Sequence, residues 1–231
     1  MDLKSYADRQ LQGTSSIWLL LSLVLSVLVL PLLEGLHAGR QLLLVGFACV
    51  FIFGAMSTRS EARLIAWALL VVALPVALAT LFTDNRPLFV AHLLLGSAFF
   101  WFVGGVVVFR VTRTKVVTFD SIFEALSAYL LFGLAWGLSY WAIHTVSPET
   151  FRFPDQNASP DGTEPAKVAE FSQFIYYSFV TMSTLGYGDI TPIGRIGRTL
   201  TWIQAVTGQF YVAVVIAWLV SALPRPGDEA R

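Results

Sequence analysis

Residues 176–192 read YYSFVTMSTLGYGDITP, and this stretch decides the fold. The apolar run 171–182 is followed at once by Thr184-Leu185-Gly186-Tyr187-Gly188-Asp189. Crossing a bilayer takes about 20 helical residues, so a run this short reads as a re-entrant or buried helix. The glycines directly after it break the helix and open backbone angles that residues with side chains avoid. Non-helical backbone at membrane depth persists only where protein buries it or where it lines a water-filled path. Carbonyl oxygens aimed into such a path can replace the water around a cation.

Outside this stretch the chain has the composition of a membrane protein. It has 231 residues, of which 56% are hydrophobic and only 13% charged, against about 25% charged in soluble domains. Formal net charge is zero, which gives no reason to expect nucleic acid as a partner. The single Cys49 sits in the apolar run VGFACVFIF, where it reads as a small buried hydrophobe. Charged residues precede the first apolar run and no small-residue cleavage site follows it, so that run reads as a retained helix.

Six apolar segments meet the length of a span within tolerance: 17–33, 41–56, 64–82, 88–109, 122–143 and 201–223. Basic residues then orient them. Lys4 and Arg9 precede the first; Arg59 and Arg63 lie between the second and third; Arg110, Arg113 and Lys115 lie between the fourth and fifth. Arg225 and Arg231 end the sequence. With both termini cytoplasmic, all of these fall inside, as the positive-inside rule asks. The mouth after Gly188 then faces outward. The expected organisation is a four-helix unit over 1–110, a cytoplasmic linker over 111–118, a pore unit over 119–223 and a short cytoplasmic tail over 224–231, with no ligand-binding domain after it. The outer loop 144–168, with four prolines, reads as an irregular turret.

TLGYGD resembles the TVGYGD signature of potassium-channel selectivity filters, and SFVTMSTLGYGDITP is similar to the pore loops of bacterial potassium channels. The likeness is close over 119–223 and only topological before that. It implies an all-α membrane protein of six transmembrane helices plus a re-entrant pore helix and filter loop, assembled as a homotetramer around a central axis. It implies stacked rings of oxygens from the carbonyls of Thr184, Leu185, Gly186 and Tyr187 and the hydroxyl of Thr184, coordinating K+, with Gly186 and Gly188 supplying the backbone angles. No cofactor is implied beyond the permeant ion. Leu185 stands where the family most often has valine.

The same resemblance assigns support roles behind the filter. Tyr176 is placed to approach Asp189, and Tyr177 to approach Tyr187 of a neighbouring subunit. Val180 stands where some relatives carry a glutamate paired with the filter aspartate, a pair that cannot form here. Gly208, mid-way along the last span, is a hinge or a space for the pore helix. The fourth span has no arginine or lysine, His92 being its only ionisable group, so steep voltage sensing is not expected. Glu124 is expected to meet water or a linker arginine. Glu124 and His92 lie far apart in sequence and make no catalytic pair, so the chain reads as a non-enzyme in a bacterial inner (plasma) membrane. The function that follows is passive, potassium-selective conduction. The alternatives are a nonselective cation channel and a non-conducting regulatory subunit with a channel fold. Sequence leaves open the gating stimulus and whether the first four helices pack on their own pore or a neighbour's.

Overall fold

The computed structural model describes residues 16–29, 32, 39–57, 60–83, 85–113, 117–154 and 164–221. The basic residues at both ends and the 224–231 tail lie outside them. The helices are α1 (Ser16–Val29), α2 (Gly39–Ser57), α3 (Ser60–Phe82), α4 (Arg86–Arg113), α5 (Phe119–Val146), α6 (Glu164–Met182) and α7 (Arg195–Ser221). A 3-10 turn (Pro148–Thr150) follows α5, and two short strands, β1 (Phe151–Arg152) and β2 (Thr191–Pro192), complete the described elements.

Four helices are long and apolar enough to cross a membrane: α3, α4, α5 and α7. The apolar parts of α1 and α2 are shorter, Ser16–Val29 and Gly46–Met56. All-α membrane architecture is therefore present, with four candidate spans among the described residues where the sequence suggests six.

Capping fixes the helix starts. Asn85 caps α4, its Oδ1 accepting from Leu88 N at 3.2 Å, with Pro87 in the first turn, where its missing N–H costs nothing. Thr118 caps α5 through a reciprocal pair with Ser121, which satisfies two amides that the helix leaves over. α4 runs on to Arg113 with Val111 buried, so the connection between the two units is shorter than 111–118. α6 and α7 likewise begin earlier than their apolar runs, at Glu164 and Arg195.

The two units share one core. α4 packs along α5 of the same chain, and the buried cluster continues from Leu19 and Leu23 through Phe99, Phe100 and Val103 to Leu131, Leu134 and Phe174. The first four helices thus seat on their own chain's pore unit. The contact is tied at both ends. Arg110 Nε donates to Glu124 Oε2 at 3.0 Å and Arg110 Nη2 lies 2.8 Å from Glu124 Oε1, a two-point pair joined by Ser16 Oγ at 3.0 Å. Glu124 therefore meets an arginine, as the sequence suggests. At the other end Arg86 donates to the carbonyls of Thr145 and Val146, which α5 leaves unpaired at its terminus.

The loop read as an irregular turret is partly regular. Phe151 pairs with Pro192 and Arg152 with Thr191, antiparallel. Thr150 O also accepts from Ile193 N at 2.9 Å. The chain leaving α5 is thereby stitched to the chain leaving the glycine motif.

Candidate ion-conduction site

Glycines seat α6 between α5 and α7. Gly133 and Gly137, one turn apart on α5, let α6 approach so closely that a Cβ on Gly133 would overlap the Phe179 ring and one on Gly137 would lie 2.5 Å from Ile175 Cδ1. Small residues four apart are the usual means of close helix approach in membranes. On the opposite side a Cβ on Gly208 of α7 would lie 2.5 Å from the Met182 carbonyl oxygen. α7 is continuous through Gly208, and this glycine makes room for the end of α6.

Buried polar groups then fix the rotation of α6. Gln204 on α7 donates from Nε2 to Ser178 O at 3.0 Å and to Ser178 Oγ at 2.8 Å, and its Oε1 accepts from the Tyr140 hydroxyl at 2.6 Å. Ser178 Oγ in turn donates to Gly133 O at 2.6 Å. Tyr140, Ser178 and Gln204 are all fully buried, so this closed set joins α5, α6 and α7 with its members satisfied. Reading the sequence passes over Gln204 and Ser178. Their signal was there: an amide inside an apolar span is costly unless a partner is built for it.

α6 ends in a Schellman motif. Leu185 N donates to Val180 O at 3.0 Å and Thr184 N to Thr181 O at 3.0 Å. That pattern needs a left-handed residue at Thr184, and Thr184 has φ +60°. Glycine is the usual occupant, and a left-handed residue with a Cβ costs about 1–2 kcal/mol. Thr184 is the only non-glycine residue with positive φ among the described residues. Gly186 follows at φ +57° and Gly188 at +79°. From 184 to 188 the sign of φ therefore alternates, with Leu185 and Tyr187 negative.

This alternation decides the chemistry. In an ordinary strand successive carbonyls point to opposite sides. Alternating left- and right-handed residues turn successive peptide planes the same way, so amides gather on one side and carbonyls on the other. The amides of Leu185 and Gly186 both go to Val180 O, at 3.0 and 3.3 Å, which puts the amide side against α6. Residues 183–189 are exposed in the single chain. The C-terminal end of α6, where the helix dipole is negative, abuts this segment and favours a cation there.

The outer end is braced by Asp189. Its Oδ2 accepts from the Tyr176 hydroxyl at 2.7 Å and its Oδ1 from Ile190 N at 2.9 Å. The Tyr176 bond, helped by the Ile190 amide, holds the carboxyl below the usual carboxylate range. Tyr177 has its partner within the chain, on α7. Its hydroxyl is 2.6 Å from Thr201 Oγ1 on α7 of the same chain, and Thr201 Oγ1 donates on to Gly197 O at 2.7 Å. Tyr177 is buried against Tyr140 and Phe151, which turns its hydroxyl toward α7. Val180 is buried, and its carbonyl is the shared acceptor of the loop amides. No group of three or more His, Cys, Asp or Glu side chains that could hold a metal ion occurs among the described residues.

Residues 124–225 match the ion-channel family. The match takes in α5 from Glu124, the pore helix, the glycine motif and α7, somewhat under half of the chain. Protein LctB of Bacillus caldotenax is 29% identical over 128 residues, 55% of this chain and 87% of that protein. The inward rectifier potassium channel Kirbac3.1 of Paramagnetospirillum magnetotacticum is 33% identical over 69 residues, 30% of this chain and 23% of that one. Potassium channel K1 of Plasmodium berghei is 35% identical over 66 residues, 24% of this chain and 3% of that one. The chain thus spans under a quarter of each named potassium channel. No solved structure matches significantly. Together with the apolar helices, these matches support a transmembrane ion channel of the potassium-channel kind, and the glycine motif lies inside the matched ion-channel segment.

Proposed function

We propose that the chain is a subunit of a potassium-selective channel that conducts K+ passively through a homotetrameric filter. Thr184, Leu185, Gly186 and Tyr187 supply carbonyl oxygens and Thr184 its hydroxyl, Gly186 and Gly188 hold the backbone, and Tyr176, Tyr177, Val180 and Asp189 brace it. The observation that carries this reading is the alternating φ at 184–188 with the amide side committed to Val180 O. One chain then offers one column of carbonyls, and a cage around an ion needs several columns.

Four copies fit the bare face of α7. Trp202, Val206, Phe210 and Val214 recur every fourth residue and are 59%, 44%, 67% and 52% exposed in the single chain. Six spans, cytoplasmic termini and a bacterial inner membrane belong to the same proposal, the placement of basic residues supporting the orientation. The test is flux from proteoliposomes under opposed K+ and Na+ gradients. Selective K+ flux is expected, and Gly186→Ala is expected to lose it while still assembling, because φ +57° admits a Cβ only with strain. Equal K+ and Na+ permeability would instead mark a nonselective cation channel.

A further inference from the structure

Away from the glycine motif, the core has a gap. Ala48 on α2, Ala73 and Ala77 on α3 and Gly96 on α4 line a cavity of about 110 Å³ that larger side chains at these positions would fill. Its inner wall is Leu138 and Trp141 of α5 and Phe171 of the pore helix. We propose that this cavity is a binding site for hydrocarbon, occupied by an acyl-chain segment of a membrane lipid.

Three observations carry the proposal. The lining has no charged side chain apart from what His92 can carry. Its other hydrogen-bonding side chains are committed elsewhere, the Thr80 hydroxyl to Ala77 O at 2.6 Å and the Trp141 indole N–H to Glu170 Oε2 at 3.1 Å. A water needs two to four polar partners, and apolar cavities of about 150 Å³ stay dry and take up benzene, so this one suits hydrocarbon in both size and character. Its outer wall is α3, the span of which is only 22% buried within the chain. Leu74 both lines the cavity and is 45% exposed, so the gap borders the face that meets lipid. Pro75 beside it lacks the amide that would close the helix ladder, leaving α3 less tightly bonded at this level. In a bilayer the surrounding medium is acyl chain, the apolar occupant present at the highest concentration.

Occupancy bears on the pore helix. Trp141 Nε1 donates to Glu170 Oε2 at 3.1 Å, next to Phe171 in α6, and Leu138 follows Gly137, on which Ile175 rests. A chain in the cavity therefore presses on the stretch of α5 and the first turns of α6 that seat each other, and binding stabilises that seat by mass action.

The experiment uses the full chain in bilayer nanodiscs made with acyl-brominated or ordinary lipid. Bromine quenches tryptophan on contact, and the difference between the wild-type chain and Trp141→Phe isolates Trp141, which is only 7% exposed. Loss of most of the Trp141 emission in brominated bilayers is expected, with the loss abolished in Ala77→Leu, which fills the cavity. Ala73→Val repeats the arm with a smaller fill should leucine fail to fold. Trp141 as bright in brominated as in ordinary bilayers, or quenched equally in the filled variants, overturns the site. Bromobenzene added to ordinary bilayers is the second arm: quenching there with none from brominated lipid would assign the cavity to free apolar solutes and overturn the lipid assignment. Binding is read without ion flux, so its failure is distinct from failure of the channel reading.

Discussion

α5 and α7 flank the same pore helix and have the same mean hydropathy of 1.5, yet 67% of one span is buried within the chain and 11% of the other. Hydropathy reports that both helices leave water; it does not report what receives them. α5 is enclosed by its own chain: α4 along one side, α6 in the groove of Gly133 and Gly137, and Gln204 reaching Tyr140 across the third. α7 touches its own chain through Gly208, Gln204, Thr201 and Tyr211, the last donating to Ala125 O, and turns Trp202, Val206, Phe210 and Val214 outward. The first helix is built to hold the pore helix, and the second is built to be covered by something else as well.

Substitutions on the enclosed side should break the fold of the single chain, and the largest effect is expected at Gly133. Gly133→Ala places a methyl in the Phe179 ring, and overpacking of this kind costs about 1–3 kcal/mol. A lowered unfolding temperature in detergent checks it; an unchanged one would mean that α6 does not lie in this groove. Gln204→Leu is expected to cost about 1–3 kcal/mol through the stranded Tyr140 hydroxyl and Ser178 groups. Its diagnostic is partial rescue when Tyr140→Phe is added, since removing both partners leaves less unsatisfied.

The bare side should behave in the opposite way. Phe210→Ala is expected to leave the unfolding of the single chain within about 0.5 kcal/mol, as for other exposed positions, while weakening self-association measured by light scattering or native mass spectrometry. If it unfolds the chain and leaves assembly intact, the contrast between the two helices fails.

The smallest effect is expected at the mouth. Tyr176→Phe removes the main donor to Asp189, so the Asp189 carboxyl should titrate closer to its usual range in a pH series followed by infrared or NMR. The sign follows from the direction of the shift. A carboxyl held low in the fold adds stability that is complete above its unfolded value, about pH 4, and lost as pH falls through the folded value. The variant should therefore lose less stability on acidification than the wild-type chain.

Much of the site was legible because its geometry is backbone geometry. Glycines at 186 and 188 after a short apolar run state where left-handed angles can occur, and φ is positive at both. Thr184 was not legible as a left-handed residue, because its own side chain disfavours that angle and only the hydrogen bonds to Val180 and Thr181 impose it. Tyr176 reaches Asp189 as the resemblance implied, whereas Tyr177 goes to Thr201, because the ring's burial against Tyr140 and Phe151 decides where its hydroxyl ends. Glu124 found its arginine because a carboxylate at that level has few other partners. Pairing across β1 and β2 was hidden, since two-residue strands carry no periodicity to read.

By itself the sequence determined the membrane class, the rough places of the helices, the short pore helix and the position of the glycine motif, because apolar length and missing side chains are local properties. Tertiary structure decided that the amides of Leu185 and Gly186 turn to Val180 O, that Gly208 makes room for the end of α6, that the buried cluster of the first four helices continues into α5 and α6, and that α5 is enclosed while α7 is bare. Those are relations between residues far apart in the chain, set by packing and by the need to satisfy every buried polar group.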